Sequence, residues 1–230
     1  MKTNPLSLAI AATVLGVFNA GILSGGESAT LSQPNGTDAG AAPAACCAVE
    51  VKPAVAACCA ELKSVAPLTA RSLYQLEAEW TNDAGAKLQL AEFRGRPVVV
   101  AMFFSSCTYA CPVLVNDLQR LRDALPPAVR EKAQFVLVSF DTARDTPGVL
   151  KAFRERMPID AAWTLVRGET DAVQELAMLL GVKYKLEANG QFAHSNLVTV
   201  LNAEGEIVHQ RNGLMGDMSE VAKAVVTVTP

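Results

Sequence analysis

The sequence predicts an α/β domain of three layers, in which helices cover a central sheet. Two apolar runs, 98–104 and 135–140, are rich in β-branched and aromatic residues and have the length of buried strands. Each run precedes a predicted helix, at 112–125 and 147–156 respectively. The chain ends in a strand–turn–strand pattern and a further predicted helix at 218–226. Alternating strands and helices are typical of layered α/β proteins.

The elements can be predicted in order from residue 73. A hairpin comes first, with strands at 73–80 and 87–90 around the turn Asn82-Asp83-Ala84-Gly85. The helix that follows the first buried strand has its apolar residues at helical spacing and accommodates Pro112 in its first turn. The remaining elements are a strand at 135–140, a helix at 147–156, a strand at 163–166, a helix at 171–180, a hairpin at 197–201 and 206–209, and a helix at 218–226.

This order of elements is that of a thioredoxin-like fold. We therefore predict a three-layer thioredoxin-like domain over 68–230, with an N-terminal β-hairpin and an inserted hairpin. The whole chain has 230 residues, half of them hydrophobic, and a formal net charge of −3. It contains no basic stripe, which excludes a nucleic-acid-binding surface.

The N-terminal segment 1–23 is predicted to direct export. A lysine at position 2 precedes an apolar stretch from residue 6 to residue 23, which is typical of a signal peptide. Phe18-Asn19-Ala20 is a poor cleavage site, and the stretch is near the lower length limit for a spanning helix, so a retained membrane anchor is the alternative. The first arginine is Arg71, which argues against an organelle transit peptide. We expect a bacterial protein in the periplasm or at the extracytoplasmic face of the membrane.

The segment 24–67 is predicted to be a flexible linker, because it is rich in Ala, Gly, Pro and Ser and poor in aromatic residues. It contains two vicinal cysteine pairs, Cys46-Cys47 and Cys58-Cys59. Four thiols on a tether could bind a soft ion such as Cu(I). Alternatively, they are incidental to a spacer or form disulfides in an oxidising compartment.

Cys107 and Cys111 lie where the first buried strand is expected to turn into a helix. Helix N-termini lower thiol pKa values. Two cysteines four residues apart on a helix have Cβ atoms about 5–6 Å apart, whereas a disulfide requires about 3.5–4.5 Å. The spacing therefore favours a metal bridge, although disulfide exchange remains open because Cys107 is expected to precede the helix.

His194 is one of two histidines in the chain. In a thioredoxin-like fold the loop that we expect to carry it faces the cysteine turn, so that it could complete a site of two sulfurs and one nitrogen. Such a set suits both Cu(I) and Cu(II). The alternative for His194 is an ordinary surface-loop histidine. We interpret His209, near the end of the last strand, as an ordinary exposed or strand-end residue.

Several motifs in order resemble the Sco/SenC family of copper-binding proteins. They are Phe-x-Gly-x-Pro-Val-Val-Val before Cys-x-x-x-Cys-Pro, then Asp141-Thr-Ala-Arg-Asp-Thr-Pro, then His194-Ser195. The match runs from about residue 73 to residue 226. The resemblance implies copper ligation by Cys107, Cys111 and His194, and delivery of copper to the CuA site of cytochrome c oxidase subunit II or reduction of the cysteines of that subunit.

Asp141 matches an acidic position that the family places beside the metal. It could orient the site or dock a partner, or it could simply cap the following turn. Residues 144–146 are expected to fix that loop and cap the next helix. Thr108 and Thr142 stand where many family members have proline, which affects loop geometry without removing a ligand.

Two functions compete. The leading prediction is a copper metallochaperone, rather than an enzyme, that passes copper to cytochrome c oxidase subunit II or another exported copper protein. The alternative is a thiol–disulfide reductase in which Cys107 and Cys111 are catalytic, supplied by a thiol reductant. A peroxidase is less favoured, because that chemistry needs one activated cysteine in a dedicated pocket.

Overall fold

The computed structural model describes residues 67–157 and 159–230, and the fold is that of a mixed sheet flanked by helices. The predicted export segment and the four linker cysteines lie outside the described residues. Among the residues that the structure describes, no helix combines the length and the apolarity needed to cross a bilayer.

Three parallel strands form the centre of the sheet. They are β3 (Val98–Phe103), β4 (Gln134–Ser139) and β5 (Trp163–Arg167). All six residues of β3 are buried, as expected for a strand covered on both faces. The connections run through α1 (Ala110–Ala124), the short α2 (Pro127–Lys132) and α3 (Pro147–Arg156). The carboxyl ends of β3 and β4 therefore meet at one edge of the sheet.

Antiparallel strands extend the sheet on both sides, in the order β2-β1-β5-β4-β3-β8-β9. These outer strands are β1 (Trp80–Asn82), β2 (Lys87–Leu88), β8 (Leu197–Leu201) and β9 (Ile207–Asn212). Helix α4 (Thr170–Leu180) follows β5, and α5 (Ser219–Thr227) packs beside α1 and against β8 and β9. The predicted α/β thioredoxin-like fold is confirmed.

A separate two-stranded sheet is inserted between α4 and β8. It consists of β6 (Tyr184–Leu186) and β7 (Phe192–His194), paired antiparallel with Tyr184 opposite His194. The predicted inserted hairpin is therefore present. His194, however, is the last residue of a strand, whereas we expected it in a loop.

The first predicted strand, at 73–80, is wrong over most of its length. Leu73–Gln75 forms a 3-10 helix, and β1 covers only Trp80–Asn82. The cause is tertiary: the Leu73 N–H donates to the Gly205 carbonyl at 2.9 Å, and the Tyr74 ring occupies the space that a Cβ at Gly205 would need. Helix α2 was not predicted from the sequence either.

Candidate metal centre

The two cysteines lie at the start of α1, close to the carboxyl end of β3. Cys107 precedes the helix, and Cys111 is its second residue. Helix N-termini leave backbone N–H groups without partners inside the helix. Here the Cys111 N–H donates to the Cys107 sulfur at 3.2 Å, so that this sulfur takes the place of a capping side chain. Neither cysteine is in a disulfide.

A buried carboxylate holds the loop that leads to Cys107. Asp145 accepts hydrogen bonds from the Ser105 backbone N–H at 2.9 Å and from the Ser139 hydroxyl at 2.5 Å, and it also binds the Ser105 hydroxyl. The next residue, Thr146, accepts from the Val149 N–H and caps α3. Asp145 and Thr146 therefore fix the loop after β4 and cap α3, which are the roles that we expected for them.

His194 is oriented by the chain beside it. Its Nδ1 lies 3.2 Å from the Ser195 carbonyl oxygen. Because a carbonyl oxygen only accepts, Nδ1 must be the donor, and a neutral imidazole then presents its lone pair at Nε2. A backbone carbonyl in this role is a common means of fixing a metal-binding histidine.

The three donor groups converge. Ligand atoms of Cys107, Cys111 and His194 all lie within 4.8 Å of one another. Bonds of about 2.0–2.3 Å, as in thiolate and imidazole complexes of zinc, allow donor atoms to be up to about 4.6 Å apart. Small side-chain adjustments would therefore let all three bind one ion. Within the described part of the chain, this is the one group of three metal-binding side chains that converges in this way.

The pKa values of the two thiols are shifted in opposite directions. The pKa of Cys107 is lowered to about 4, first because the Cys111 thiol donates to its sulfur, and further because the backbone N–H groups of Cys111 and Tyr109 do so. The same thiol–thiolate hydrogen bond, together with burial, raises the pKa of Cys111. The metal-free site thus holds a thiolate at Cys107 and a thiol at Cys111.

Aromatic rings surround the histidine. His194 packs edge-on against Phe104, with ring centroids 5.7 Å apart, and lies 5.2 Å from Phe140. Phe192 and Tyr184 complete the cluster on the hairpin side. The sequence motifs described above do not single out these rings. A signal was available, because Phe104 and Phe140 each directly follow a buried strand and the two strands are neighbours in the sheet.

Asp141 does not belong to the group of converging donors. It is buried, and its carboxylate accepts from the Arg144 N–H at 3.2 Å and binds the Arg144 guanidinium. These contacts correspond to the turn-capping alternative. His209 lies on β9 and is also outside the donor group.

Fold and site together define a thioredoxin-like domain with a candidate soft-metal centre. The family model SCO1/SenC matches residues 69–229, which is most of the chain. The chain belongs to the SCO1/SenC family.

The chain is also similar to individual proteins, at sequence identities below 30%. A protein of Stutzerimonas stutzeri, described as a candidate copper-binding protein, is 28% identical over 141 residues, which are 60% of this chain and 67% of that protein. A SCO1/SenC family lipoprotein from Bacillus anthracis superposes with a TM-score of 0.59 at 22% identity, covering 65% of this chain and 91% of the other. Arabidopsis thaliana ScoI with copper bound gives a TM-score of 0.56 at 18% identity, covering 65% and 94%. At these identities the solved structures support the fold.

Proposed function

We propose that the protein is a copper metallochaperone that binds one copper ion through Cys107, Cys111 and His194. The observation that carries this proposal is the convergence of two sulfurs and one imidazole nitrogen within 4.8 Å. Thiolates select Cu(I), and an imidazole accommodates Cu(II) as well. Family membership and the candidate copper-binding relative support copper over other soft metals.

The thiolate at Cys107 prepares the site for a cation. A ligating thiol must lose its proton, and the low pKa of Cys107 means that one of the two cysteines has done so before the metal arrives. The second proton, on Cys111, leaves when the metal binds. Copper uptake at neutral pH should accordingly release about one proton from the cysteine pair.

Copper titration of the purified protein tests the proposal. We expect one copper per site, with thiolate-to-Cu(II) absorption in the visible range. His194→Ala should weaken Cu(II) binding selectively, because Cu(I) is retained by the two sulfurs. Stoichiometric binding at this site that survives replacement of both Cys107 and Cys111 by serine would overturn the proposal. His209→Ala is the matched control and should leave both affinities unchanged.

We place the recipient among exported copper proteins, and the CuA domain of cytochrome c oxidase subunit II is the candidate that the family resemblance implies. The predicted N-terminal signal or anchor supports a location in the periplasm or at the extracytoplasmic membrane face. Transfer can be tested by mixing the copper-loaded protein with a metal-free CuA domain and following the appearance of the CuA absorption. Absence of transfer would restrict the function to copper binding.

The opposite pKa shifts of the two cysteines favour thiol–disulfide reduction as a second candidate function. A half-buried thiolate at Cys107 would attack a substrate disulfide, and Cys111 would then resolve the mixed disulfide by attacking the Cys107 sulfur. This leaves the substrate reduced and a Cys107–Cys111 disulfide, which an external thiol reductant must reduce. His194→Ala separates the functions, because a reductase does not need the imidazole as a metal ligand.

A further inference from the structure

The hairpin that carries His194 belongs to a different sheet from the one that leads to the cysteines. Among the described residues, β6 and β7 pair only with each other, whereas β3 lies at the centre of the seven-stranded sheet. The distance from the imidazole to the two sulfurs therefore depends on whatever fixes this hairpin to the main domain. Ring packing of Phe192 and Tyr184 on Phe140 is one such contact, with centroids 5.1 and 4.9 Å apart.

Arg144 makes the second type of contact. Its Nη1 donates to the Gly190 carbonyl in the hairpin turn at 2.6 Å, and its Nε binds the Asp141 carboxylate. Its Cζ also lies 5.5 Å from the centre of the Phe192 ring, within the range of a cation–π contact. One guanidinium thus joins the loop after β4 to both the turn and the β7 strand of the hairpin.

Asp141 makes this bridge rigid. Its carboxylate is buried, and it holds both the backbone N–H and the guanidinium of Arg144, while the Asp141 N–H donates to Ser139 at 3.0 Å. Ser139 in turn binds Asp145, which holds the loop before Cys107. The loop that precedes the sulfur and the hairpin that carries the nitrogen are therefore connected through one polar network.

We propose that Arg144 is a positioning residue that holds His194 at the metal centre. It thereby raises the affinity of the site for Cu(II) relative to its affinity for Cu(I). The inference rests on the copper binding proposed above. Loss of Arg144 would let the hairpin move away from the sulfurs. Cu(I) would remain on the two thiolates, whereas Cu(II) would lose the imidazole.

The direction in which copper affinity changes when Arg144 is replaced distinguishes a positioning role from a purely electrostatic one. A positive guanidinium near a bound cation repels it, so if charge alone mattered, its removal would strengthen the binding of copper in both oxidation states. Positioning predicts the reverse for Cu(II) and no change for Cu(I). Arg144→Lys further distinguishes positioning from charge. A lysine keeps the positive charge, but it lacks the planar guanidinium that binds Asp141 and Gly190 at the same time.

The experiment compares Cu(II) and Cu(I) affinities of the full chain by competition with chelators, and nitrogen coupling in the Cu(II) electron paramagnetic resonance spectrum. The variants are Arg144→Met, Arg144→Lys, His194→Ala and the double variant Arg144→Met/His194→Ala. The exposed Lys151→Met on α3 is the charge-loss control. We expect Arg144→Met to lower Cu(II) affinity about 10-fold, at the lower end of the range for residues that orient metal ligands. Nitrogen coupling should weaken, and Lys151→Met should change neither quantity.

In the His194→Ala background, Arg144→Met should have no further effect on Cu(II). The inference is overturned if His194→Ala lowers Cu(II) affinity but Arg144→Met leaves it unchanged or raises it. It is also overturned if Arg144→Met still lowers Cu(II) affinity in the His194→Ala background. If His194→Ala itself has no effect on Cu(II) in a site that still requires both cysteines, the imidazole ligand assigned under the proposed function fails instead. Should Arg144→Met not fold, as judged by circular dichroism, Arg144→Lys gives the same readouts.

Discussion

At the scale of residues, Cys107 and Cys111 are only four positions apart but lie in different environments. Cys111 is fully buried beneath the first turn of α1, and Cys107 is half-buried in the preceding loop. One hydrogen bond, from the Cys111 thiol to the Cys107 sulfur, lowers the pKa of the first cysteine and raises that of the second. Their titration in the metal-free protein is therefore strongly coupled.

Alkylation of the reduced, metal-free protein tests this asymmetry. The thiolate is the reactive form, and the pKa of Cys107 is about 4 instead of 9.0. Iodoacetamide should therefore modify Cys107 at a rate that is constant from neutral pH down to about pH 5 and falls at lower pH. Cys111→Ala should raise the midpoint for Cys107, because the largest contribution to the shift is lost. In Cys107→Ser, little label should appear on Cys111 at neutral pH, as measured by peptide mass spectrometry separately from the linker cysteines. A wild-type rate that rises only above pH 8 would contradict the assignment.

The residues of the donor group are predicted from the sequence, but the contact between Arg144 and the hairpin that carries His194 is not. Cys107, Cys111 and His194 stand in recognisable motifs, so the resemblance locates them. Arg144 was assigned to its own loop, whereas in the structure it reaches the turn at Gly190, 46 residues away. Contacts of this kind depend on tertiary packing, and no local pattern encodes them.

At the scale of elements, helix boundaries were the more predictable part. Helix α3 begins after Thr146 and with Pro147, where a side-chain cap and a proline favour a helix start. Helix α4 ends at Leu180 and is capped by Gly181, which has a left-handed backbone with φ of 77°. The strands of the inserted hairpin have only three residues each, and ring packing onto Phe140 stabilises them. The prediction of an inserted hairpin came without bounds, because strands of three residues are too short a pattern to locate in the sequence.

A pair of glycine substitutions tests the helix ends. Gly181→Ala should destabilise the domain by about 1 kcal/mol, because an alanine is strained in the left-handed region. Gly148→Ala, in the first turn of α3, should stabilise it by about 0.5 kcal/mol, because the backbone there is helical and a Cβ would have ordinary contact distances. Urea unfolding of the two variants measures both values. Equal effects of the same sign would show that the backbone conformation at these ends is not as described.

At the scale of the whole molecule, the alternation of apolar runs and helices was sufficient to predict the fold class. The three central strands are mostly buried and contain β-branched and aromatic residues, so that their apolar runs can be recognised in the sequence alone. The N-terminal hairpin was placed too early, because the packing of Tyr74 against Gly205 overrides the strand pattern of residues 73–80. Local sequence preference is therefore sufficient to predict the central strands, whereas the conformation of residues 73–80 depends on long-range contacts.

The linker cysteines give a prediction for the full chain. If Cys46, Cys47, Cys58 and Cys59 bind Cu(I), replacing all four by serine should lower the copper content of the full-length protein, while the globular site keeps its own ion. Copper analysis after removal of excess metal, together with the visible absorption of the Cu(II) form, measures both parts. Unchanged total copper would assign these cysteines to a spacer, and loss of the Cu(II) absorption would show that the linker and the globular site are coupled.

The burial of Cys111 predicts the order in which Cys107, Cys111 and His194 would release a copper ion. If the protein transfers copper as proposed, an acceptor side chain from solvent would meet the ion on the side of Cys107 and His194, because these two residues are partly exposed and Cys111 is buried. We expect the first bond to break during transfer to be one of those two, and the bond to Cys111 to break last. A trapped intermediate would then link the acceptor and Cys111 through the same copper ion. Unequal burial of the two sulfurs would then give copper transfer a fixed order of bond breaking.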